Sequence, residues 1–583
     1  MRLEEYWGIG PKTSSRLREE LGQEQAIKAI ENADIRTLTQ AGLSRGRVTR
    51  ILRHTNNSEG LDILATKDTR EIYKSILDIA CSFAVTDQAS DRIRVLTPLQ
   101  NISAMQNRLD RVMDAAATLN DLSADEKEQI MEAFDKYERQ EDNTQASIKT
   151  ALSLYEIGVM QGPFSPLSEL DIDALTEAYE ALQYLQNDHV QEGADDRLDG
   201  LRNRLSEIKA IDQNTNQVLE AVQSETIRGT DEFREAFLQY LLQETSLSHD
   251  QIQTQMPADA RDSEDFISST LRNIITDLEN EIGDREEDIK VDLEWQIEQA
   301  REDIDRCVEV IDEIALDLSL GRFTNAYELT RPTIRQDTDT VAVKGARHLG
   351  LSAMSDTQVQ PISYAIGDHS LPSETPPSGQ QVAVLTGANS GGKTTLLETL
   401  CQIALMTQMG LPVPADTAEI SIVDAVVFHR RHASFNAGVL ESTLRTIIPP
   451  LSTDGKTLML VDEFEAITEP GSAADLLHGL VQLTNDNDDI GVFVTHLADD
   501  LKPLPESARI DGIFAEGLNS DLELEVDYQP QFFTLGKSTP EFIVSRLLAN
   551  ASTPAERMGF EALAEAIGEA TIQRTLADTR WNQ

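Results

Sequence analysis

The sequence has 583 residues, with 101 Asp or Glu against 50 Lys or Arg, which gives a net charge of −51. A chain of this length provides enough residues for about three or four domains, so a small disulfide-stapled module is excluded. An acidic excess of this size is typical of salt-loving organisms. Molar salt shortens the Debye length to about 3 Å, and the self-repulsion of the chain is then screened. The acidity therefore indicates habitat more than binding partners.

The cysteines and the hydropathy pattern indicate a reducing, aqueous compartment. Cys81, Cys307 and Cys401 are far apart and show no metal-ligand spacing, so we expect reduced thiols and no structural metal. The N-terminus has no apolar signal region, and no apolar run approaches the ~18 residues of a membrane span. We therefore expect a cytoplasmic protein that contacts no membrane.

Residues 1–56 contain the basic part of the chain. Residues 1–54 carry ten Lys or Arg and seven Asp or Glu, so this block is net positive. Within it, "WGIGPKTSSRLREEL" and "AGLSRGRVTRILR" resemble a tandem helix-hairpin-helix module. In that family, hairpin N–H groups and a helix N-terminus bind a DNA phosphate without reading sequence. The resemblance implies six DNA-contacting residues: Gly8, Gly10, Lys12, Gly42, Arg45 and Arg47. The alternative is a helical cap that binds another protein.

Residues 62–335 have helical periodicity almost throughout. Apolar residues recur at steps of three and four from Leu271 to Leu318, apart from one polar gap. This pattern predicts one long lever helix of roughly 70 Å at 1.5 Å per residue. The stretches "DRLDGLRNRLSEIKAI" and "FREAFLQYLL" are expected to pack back against it. The alternative is a coiled coil that serves only dimerisation.

Residues 341–545 read as one α/β domain built around a phosphate-binding loop. In "VAVLTGANSGGKTTLLETL", an apolar strand precedes a GxxxxGK[ST] pattern, and a helix from Thr394 to Met409 follows. Backbone N–H groups of such a loop surround phosphates, the lysine reaches the terminal oxygens and the hydroxyl binds Mg²⁺. The predicted nucleotide-binding residues are Gly387, Ala388, Asn389, Ser390, Gly391, Gly392, Lys393 and Thr394. The alternative is a glycine-rich turn without a ligand.

Two further strands complete the predicted site. "KTLMLVDEFEAIT" ends its apolar run at Asp462, 69 residues after Lys393, and Glu463 follows immediately. Asp462 is predicted to bind Mg²⁺ together with Thr394, and Glu463 to orient the attacking water. The strand "IGVFVTH" ends at His496, which we expect to sense the γ-phosphate. The predicted cofactors are therefore ATP and Mg²⁺, with Glu463 and His496 as catalytic residues.

Four stretches resemble the MutS family of DNA repair proteins in order and spacing: "LTGANSGGKTTLLETLCQIALMTQMGLPVPA", "ASFNAGVLESTLRTI", "LVDEFEAITEPGSAADLLHGL" and "VFVTHLADDL". The resemblance implies a homodimer with composite ATP sites, in which Ser434 caps the partner's nucleotide, and lever and clamp helices that close around DNA. Departures also matter. No domain with a Phe-x-Glu wedge is visible, and too few residues follow the ATPase for a nuclease domain. The short archaeal "MutS two" subfamily is most similar.

The sequence thus predicts a multidomain α and α/β fold. It comprises a tandem helix-hairpin-helix module, a long all-α lever and clamp region, and an ABC-type P-loop ATPase domain, followed by C-terminal helices over 546–583 that could contact a second subunit. The predicted function is an ATP-hydrolysing, sequence-non-specific DNA clamp. One alternative is a DNA-binding scaffold with a nucleotide-sensing, weakly active ATPase. Another is an SMC or Rad50-like ATPase, although those chains separate the loop from the second carboxylate by a very long coiled coil.

Overall fold

The structure is a computed structural model. It describes residues 2–140, 142–186, 188–223, 229–354, 359–371, 376–387, 392–431, 437–453, 455–467, 470–498, 500–501, 503–518, 524–536, 544, 547–548, 551 and 553–567. The chain forms two compact units. Unit 1 comprises residues 1–134, 161–164 and 312–583, and unit 2 comprises residues 135–160 and 165–311.

Helices account for most of the described chain. In chain order they are α1 Pro11–Glu20, α2 Gln23–Glu31, α3 Ile35–Gln40, α4 Arg45–Asp62, α5 Lys67–Cys81, α6 Asp87–Arg94, α7 Ile102–Asp121, α8 Ala124–Glu138, α9 Asn143–Ile157, α10 Ile172–Tyr184, α11 Asp196–Asp212, α12 Thr215–Gln223, α13 Thr230–Glu244, α14 His249–Gln255, α15 Ser263–Gln299, α16 Arg301–Ala326, α17 Leu349–Ser352, α18 Lys393–Gln408, α19 Ala437–Leu451, α20 Pro470–Asp486 and α21 Pro554–Ile567. Short 3₁₀ helices cover Leu3–Glu5, Gly162–Glu169 and Phe464–Ile467.

The strands are β1 Leu185–Gln186, β2 His189–Val190, β3 Thr333–Arg335, β4 Thr340–Ala346, β5 Ile362–Gly367, β6 Val382–Gly387, β7 Thr417–Ser421, β8 Ala425–His429, β9 Thr457–Asp462, β10 Ile490–Val494, β11 Ala508–Leu518 and β12 Leu524–Gln531. They form a six-stranded sheet in the order β12-β11-β6-β10-β9-β8, a four-stranded sheet in the order β3-β7-β4-β5, and the β1-β2 pair.

The six-stranded sheet determines where the candidate site lies. Strands β11, β6, β10, β9 and β8 are parallel, and only β12 is antiparallel to its neighbour. Val494 at the end of β10 pairs with Leu385 on one side and with Asp462 on the other. Parallel strands carry their carboxyl ends to one edge of a sheet, where ligands of open α/β folds bind. The residues that follow β6, β9 and β10 therefore converge at this edge.

The sheet is sealed on one face by α18 and α5. Leu396, Leu400 and Ile403 of α18 are buried in one core with Ile72 and Ile76 of α5. The strands that these helices cover are apolar on both faces, as is typical of parallel strands in a sheet packed against helices. Helix α18 ends at Gln408, close to the predicted end of this helix, and Gly410 has a φ of 66°. This left-handed conformation is one that glycine adopts without steric cost.

The N-terminal module of unit 1 has a core of its own. Leu3, Leu17, Ile30, Leu38 and Leu52 are buried together. Helix α3 is followed by a turn through Gly42 and then by α4, and α1 is preceded by a turn through Gly8. Gly8 and Gly42 have φ values of 77° and 85°. Both turns thus need the conformational freedom that the sequence provides as glycine.

The predicted single lever helix is wrong in one respect. The structure has two consecutive helices, α15 and α16, divided at Ala300, whose ψ is 4°. The hydrogen-bond ladder resumes at once, since Ile304 N donates to Ala300 O at 2.8 Å. Ala300 and Ile304 are both buried, so the apolar periodicity continues across the break. A pattern of burial cannot reveal a change in the backbone torsions at one residue.

Unit 2 is helical around α15. Leu201 and Ile208 of α11 and Phe237 of α13 share a buried core with Leu271 and Ile274 of α15. The two stretches that were predicted to pack against the lever do pack there. Every helix in the described part of the chain is too short or too polar to cross a lipid bilayer.

Candidate functional site

The predicted phosphate-binding loop begins and ends on glycines that no other residue replaces without strain. Gly387 closes β6 with a φ of 126°, and a Cβ on it would lie 2.1 Å from the carbonyl oxygen of Ile513. Gly392 caps α18 with a φ of 72°. Ala388, Asn389, Ser390 and Gly391 lie outside the described residues. The two described ends have the strand-to-helix geometry of a loop whose N–H groups bind phosphate.

Lys393 is the first residue of α18, and its side chain is only 3% exposed. Its Nζ donates a hydrogen bond to Gly387 O at 2.8 Å and lies 4.0 Å from Glu463 Oε1. Burial lowers the pKa of Lys393, and the carboxylates of Glu463 and Asp462 oppose that shift. The lysine therefore spans the loop and the second carboxylate strand, where the motif places it.

Thr394 and Asp462 form the other link between these two elements. Thr394 Oγ1 donates to Asp462 Oδ2 at 2.7 Å. Asp462 Oδ1 is buried and has no hydrogen-bond partner within the described residues. Burial raises the pKa of Asp462, because the charged form has lost water. A hydroxyl beside an unsatisfied carboxylate oxygen fits Mg²⁺, a hard cation that takes oxygen ligands.

Glu463 lies directly after β9 in a strained backbone conformation. Its φ is 41°, in the left-handed region that costs a side-chain-bearing residue about 1–2 kcal/mol. Its N–H donates to Val494 O at 3.0 Å, and this bond anchors the turn to the neighbouring strand. Non-glycine residues retain such a conformation only where the surroundings impose it, which is most frequent at functional sites.

His496 contacts the Glu463 carboxylate. Its Nε2 lies 3.1 Å from Glu463 Oε1, and its backbone N–H donates to Glu465 Oε1 at 2.7 Å. The hydrogen bond from His496 lowers the pKa of Glu463, although partial burial opposes it. An ionised carboxylate only accepts hydrogen bonds, so Nε2 carries the proton in this pair. The structure thus brings both predicted catalytic residues together.

Sequence reasoning missed Arg431 as a residue of this site. Its Nη1 lies 2.6 Å from Glu463 Oε2, so the two carboxylate oxygens of Glu463 contact different cationic or polar groups. The Arg431 side chain is 54% exposed. Its only sequence signal is its place two residues after the end of β8, at the same edge of the sheet. Ser434, the predicted residue in trans, lies outside the described residues.

A buried charge network supports the loop from β11, and it was also missed. Arg509 Nε donates to Asp511 Oδ2 at 2.9 Å, with both side chains 0% exposed. Tyr364 OH donates to the same oxygen at 2.9 Å. Burial raises the pKa of Asp511, and Arg509 opposes the shift. Asp511 O in turn accepts a hydrogen bond from Thr386 Oγ1, one residue before Gly387, at 3.0 Å.

Helix α5 is attached to strand β8, which leads to Arg431. Thr69 Oγ1 donates to Val426 O and accepts from Phe428 N, both at 3.0 Å. The carboxylate of Asp68 accepts from Arg430 N at 2.8 Å. These bonds join residues about 360 positions apart in the chain. The first turn of α5 therefore positions the backbone from which Arg431 projects.

The predicted DNA-contacting residues form two adjacent hairpins. Gly10 is the N-cap of α1, and Lys12, in its first turn, is exposed. Arg47 Nη2 donates to Gly8 O at 3.1 Å, so the second helix of the pair contacts the first hairpin. A Cβ on Gly42 would lie 1.9 Å from Arg16 Nη2, so the reverse contact also exists.

Arg45, a predicted DNA-contacting residue, forms an ion pair within the structure. Its Nη2 lies 2.6 Å from Asp91 Oδ1. The hydrogen bond and charge of Asp91 raise the pKa of Arg45. The Arg45 side chain is still 59% exposed, so part of the guanidinium faces solvent. The structure therefore brings the hairpin residues together. Of their three cations, Lys12, Arg45 and Arg47, Arg45 is paired with a carboxylate.

Residues 383–474 match MutS domain V, which is a P-loop ATPase domain. The segment contains most of the site described above. The chain is 44% identical over 189 residues to the DNA-binding protein MutS2 of Pyrococcus furiosus. It is 27% identical over 210 residues to the endonuclease MutS2 of Thermomicrobium roseum, and 30% identical over 197 residues to the DNA mismatch repair protein MutS of Parabacteroides distasonis.

These similarities cover a limited part of each protein. The matched segments cover 32%, 33% and 32% of this chain. They cover 34%, 25% and 21% of the three relatives, so the chain spans about a third or less of the length of the relatives it matches. Proteins of the MutS family are ATPases. Over the matched segments, the chain is therefore similar to proteins of the MutS family, among them MutS2 proteins.

Proposed function

We propose that the chain binds and hydrolyses ATP with Mg²⁺ and acts on DNA in repair or recombination. The observation that carries the ATPase part is the contact of Thr394 Oγ1 with Asp462 Oδ2 at 2.7 Å, beside the buried and unsatisfied Oδ1. A buried carboxylate oxygen without a partner costs about 1–3 kcal/mol or more, and a divalent cation removes that cost. Thr394 and Asp462 would hold Mg²⁺.

The chain's own residues have distinct roles in this proposal. Bound ATP supplies the phosphoryl group, and Mg²⁺ neutralises charge on its oxygens. Lys393 exchanges the Gly387 carbonyl for terminal phosphate oxygens. Glu463 is ionised near neutral pH, because His496 lowers its pKa, so it can orient and polarise a water molecule. His496 fixes the direction of that carboxylate through Nε2.

A matched pair of threonine variants tests the metal assignment. Thr394→Val removes the hydroxyl that faces Asp462, whereas Thr407→Val removes a buried hydroxyl of the same helix that donates to Ile403 O. We expect Thr394→Val to lose at least tenfold in Mg²⁺-dependent turnover, and Thr407→Val to retain most of it. The measurement is phosphate release against Mg²⁺ concentration in molar KCl. Equal turnover in the two variants would contradict the assignment.

The DNA part of the proposal is supported by the N-terminal hairpins and by the relatives. The Pyrococcus relative is a DNA-binding protein, and the Parabacteroides relative is a mismatch repair protein. The hairpins present Gly10 at a helix N-terminus and an exposed Lys12, which suits phosphate contacts without sequence readout. We expect equal affinity for matched and mismatched duplexes by fluorescence anisotropy in molar KCl, the working condition that a net charge of −51 favours. A strong mismatch preference would contradict this function.

A homodimer with composite ATP sites is part of the proposal. Ser434 would contact the partner's nucleotide, and the levers of the two subunits would close around DNA. Turnover should then fall on dilution below the dimer dissociation constant. A monomer by light scattering with unchanged turnover at every dilution would contradict the composite site. The division into a hairpin module (1–56), a helical region (62–335), an ATPase domain (341–545) and C-terminal helices (546–583) likewise remains a proposal.

A second candidate function is a DNA-binding scaffold that senses nucleotide and turns it over slowly. One observation favours it, since Arg431 Nη1 lies 2.6 Å from Glu463 Oε2. This ion pair holds one oxygen of the carboxylate that would polarise water. On this hypothesis Arg431→Gln raises steady-state turnover, whereas in an efficient ATPase the same change lowers it or leaves it constant. Phosphate release by the two proteins at saturating ATP distinguishes the two functions.

A further inference from the structure

A groove lined by cations lies between α4 and α5 in unit 1. Its volume is about 540 Å³. We call it the α4–α5 groove, and the cations that line it are Arg47, Arg50, Arg53, Lys74 and Arg94. Among the described residues that line it, Asp78 is the sole acidic one. The groove therefore concentrates positive charge in a chain that carries twice as many acidic as basic residues.

Most of this charge is not neutralised by carboxylates. Asp78 Oδ1 contacts Arg94 Nη1 at 3.0 Å, but the Asp78 side chain is 66% exposed, where an ion pair is worth about 1 kcal/mol or less. Arg53 donates from Nε and Nη2 to Arg94 O at 2.9 and 2.7 Å. A carbonyl oxygen positions the guanidinium and leaves its full charge available.

Arg47 is held in a similar way by neutral oxygens. Its Nη2 donates to Thr13 Oγ1 at 2.7 Å and to Gly8 O at 3.1 Å. Arg53 is further fixed by the ring of Tyr73, whose centroid lies 5.0 Å from its Cζ. The cations at both ends of the α4 row are therefore positioned in advance, which reduces the conformational entropy that binding would cost.

Arg50 and Lys74 complete the groove as exposed side chains on opposite walls. Arg47, Arg50 and Arg53 follow one another at intervals of three residues on α4. The row spans about 9 Å at 1.5 Å per residue. A DNA strand carries one phosphate per about 3.4 Å of helix axis, so a row of this length faces about two or three phosphates.

We propose that the α4–α5 groove binds the DNA phosphate backbone as a second contact track beside the hairpin loops. The assignment rests on the DNA-binding part of the proposed function and extends it from Arg47, a predicted hairpin contact, to Arg50, Arg53, Lys74 and Arg94. Guanidinium groups of α4 offer paired N–H donors to phosphate oxygens, and Lys74 adds a point charge from α5. The exposed N-terminus of α4, at Ser44 and Gly46, lines the same groove and adds backbone N–H groups.

The test compares two double variants of the full-length protein that remove the same charge. Arg50→Gln/Lys74→Gln removes two cations of the groove. Arg36→Gln/Lys67→Gln is the control, since both residues are exposed and neither lines the groove, and Lys67 belongs to the same helix as Lys74. Binding to one duplex is measured by anisotropy over a series of KCl concentrations. Unchanged circular dichroism confirms that both variants fold.

The affinity constant K falls as the salt concentration rises, and each lost phosphate contact makes the slope of log K against log salt shallower by about 0.9. We expect the groove variant to lose about two units of slope and to bind at least roughly tenfold more weakly at fixed salt, with the control close to wild type. If the two double variants bind DNA alike while Lys12→Gln weakens binding, the proposal that the groove binds DNA is overturned, and DNA binding by the hairpins still holds. If the wild-type protein binds no duplex, both proposals are overturned.

Discussion

The phosphate loop and the N-terminal hairpins both combine glycines of positive φ with basic side chains, but they do so at opposite extremes of burial. The Lys393 side chain is 3% exposed and that of Arg45 is 59% exposed. Charges removed from water interact strongly and must each find a partner, whereas exposed charges are screened and individually weak. We therefore expect substitutions in the loop region to have large effects and those in the hairpins to have small, additive ones.

The largest expected effect is on turnover at Glu463. Glu463→Gln keeps the shape of the side chain and removes the charge that we propose to polarise water, so turnover should fall by about 10²–10³-fold. ATP binding should persist, because Lys393 and Thr394 remain. Phosphate release and binding of a fluorescent ATP analogue measure the two quantities separately. Wild-type turnover in this variant would remove Glu463 from its proposed role.

The second effect concerns stability behind the loop. Asp511→Asn leaves Arg509 fully buried without its counter-charge, and breaking such a pair costs about 3–5 kcal/mol. Asp416→Asn is the control, because Asp416 is 62% exposed and pairs with Arg347 at 3.3 Å. Urea unfolding should show a loss of about 3 kcal/mol or more for the first variant and less than about 1 kcal/mol for the second. Equal losses in the free energy of unfolding would contradict the expectation that buried ion pairs contribute more to stability than exposed ones.

A third effect tests the backbone of the loop. Gly387→Ala places a Cβ 2.1 Å from Ile513 O at a φ of 126°, so we expect a loss of about 2 kcal/mol in the free energy of unfolding, together with weaker ATP binding. Gly479→Ala, within α20, meets no atom within 4 Å and should stabilise the protein by about 0.5–1 kcal/mol. Thermal unfolding of the two variants checks the opposite signs.

The smallest effect is expected in the hairpins. Arg45→Gln breaks the contact with Asp91, but the arginine is mostly exposed, so the free energy of unfolding should fall by about 0.5 kcal/mol. Calorimetric unfolding of Arg45→Gln and Asp511→Asn under the same conditions compares the two losses directly. A loss as large as that of the buried pair would mean that the hairpins depend on this ion pair for folding.

The strand before the predicted loop and the helix after it agree with the sequence, because phosphate-binding chemistry restricts residue types at fixed spacing. Gly392 must adopt a positive φ, Lys393 must reach phosphate, and Asp462 must end a buried strand. The carboxyl ends of β6, β9 and β10 then meet at one edge for reasons of sheet geometry alone.

Other features depend on contacts between distant parts of the chain, and no local pattern encodes them. Arg431 reaches Glu463 only because β8 and β9 are neighbours. In the sequence, Arg509 and Asp511 are two polar residues of a strand, and their buried pairing with Tyr364 is visible only in the fold. Asp91 neutralises Arg45 from 46 residues away. The break at Ala300 leaves the burial pattern intact, so periodicity cannot show it.

The attachment of α5 to β8 also affects the order in which these elements can fold during synthesis. Thr66 Oγ1 donates to Phe428 O across 362 residues, so the first partner is made long before the second. At about 5–20 residues per second, a ribosome needs about 20–70 s to supply the missing strand. During that interval the hairpin module can complete its own core, but the apolar face of α5 has no sheet to cover. Nascent chains should therefore engage chaperones through α5 until β8 emerges.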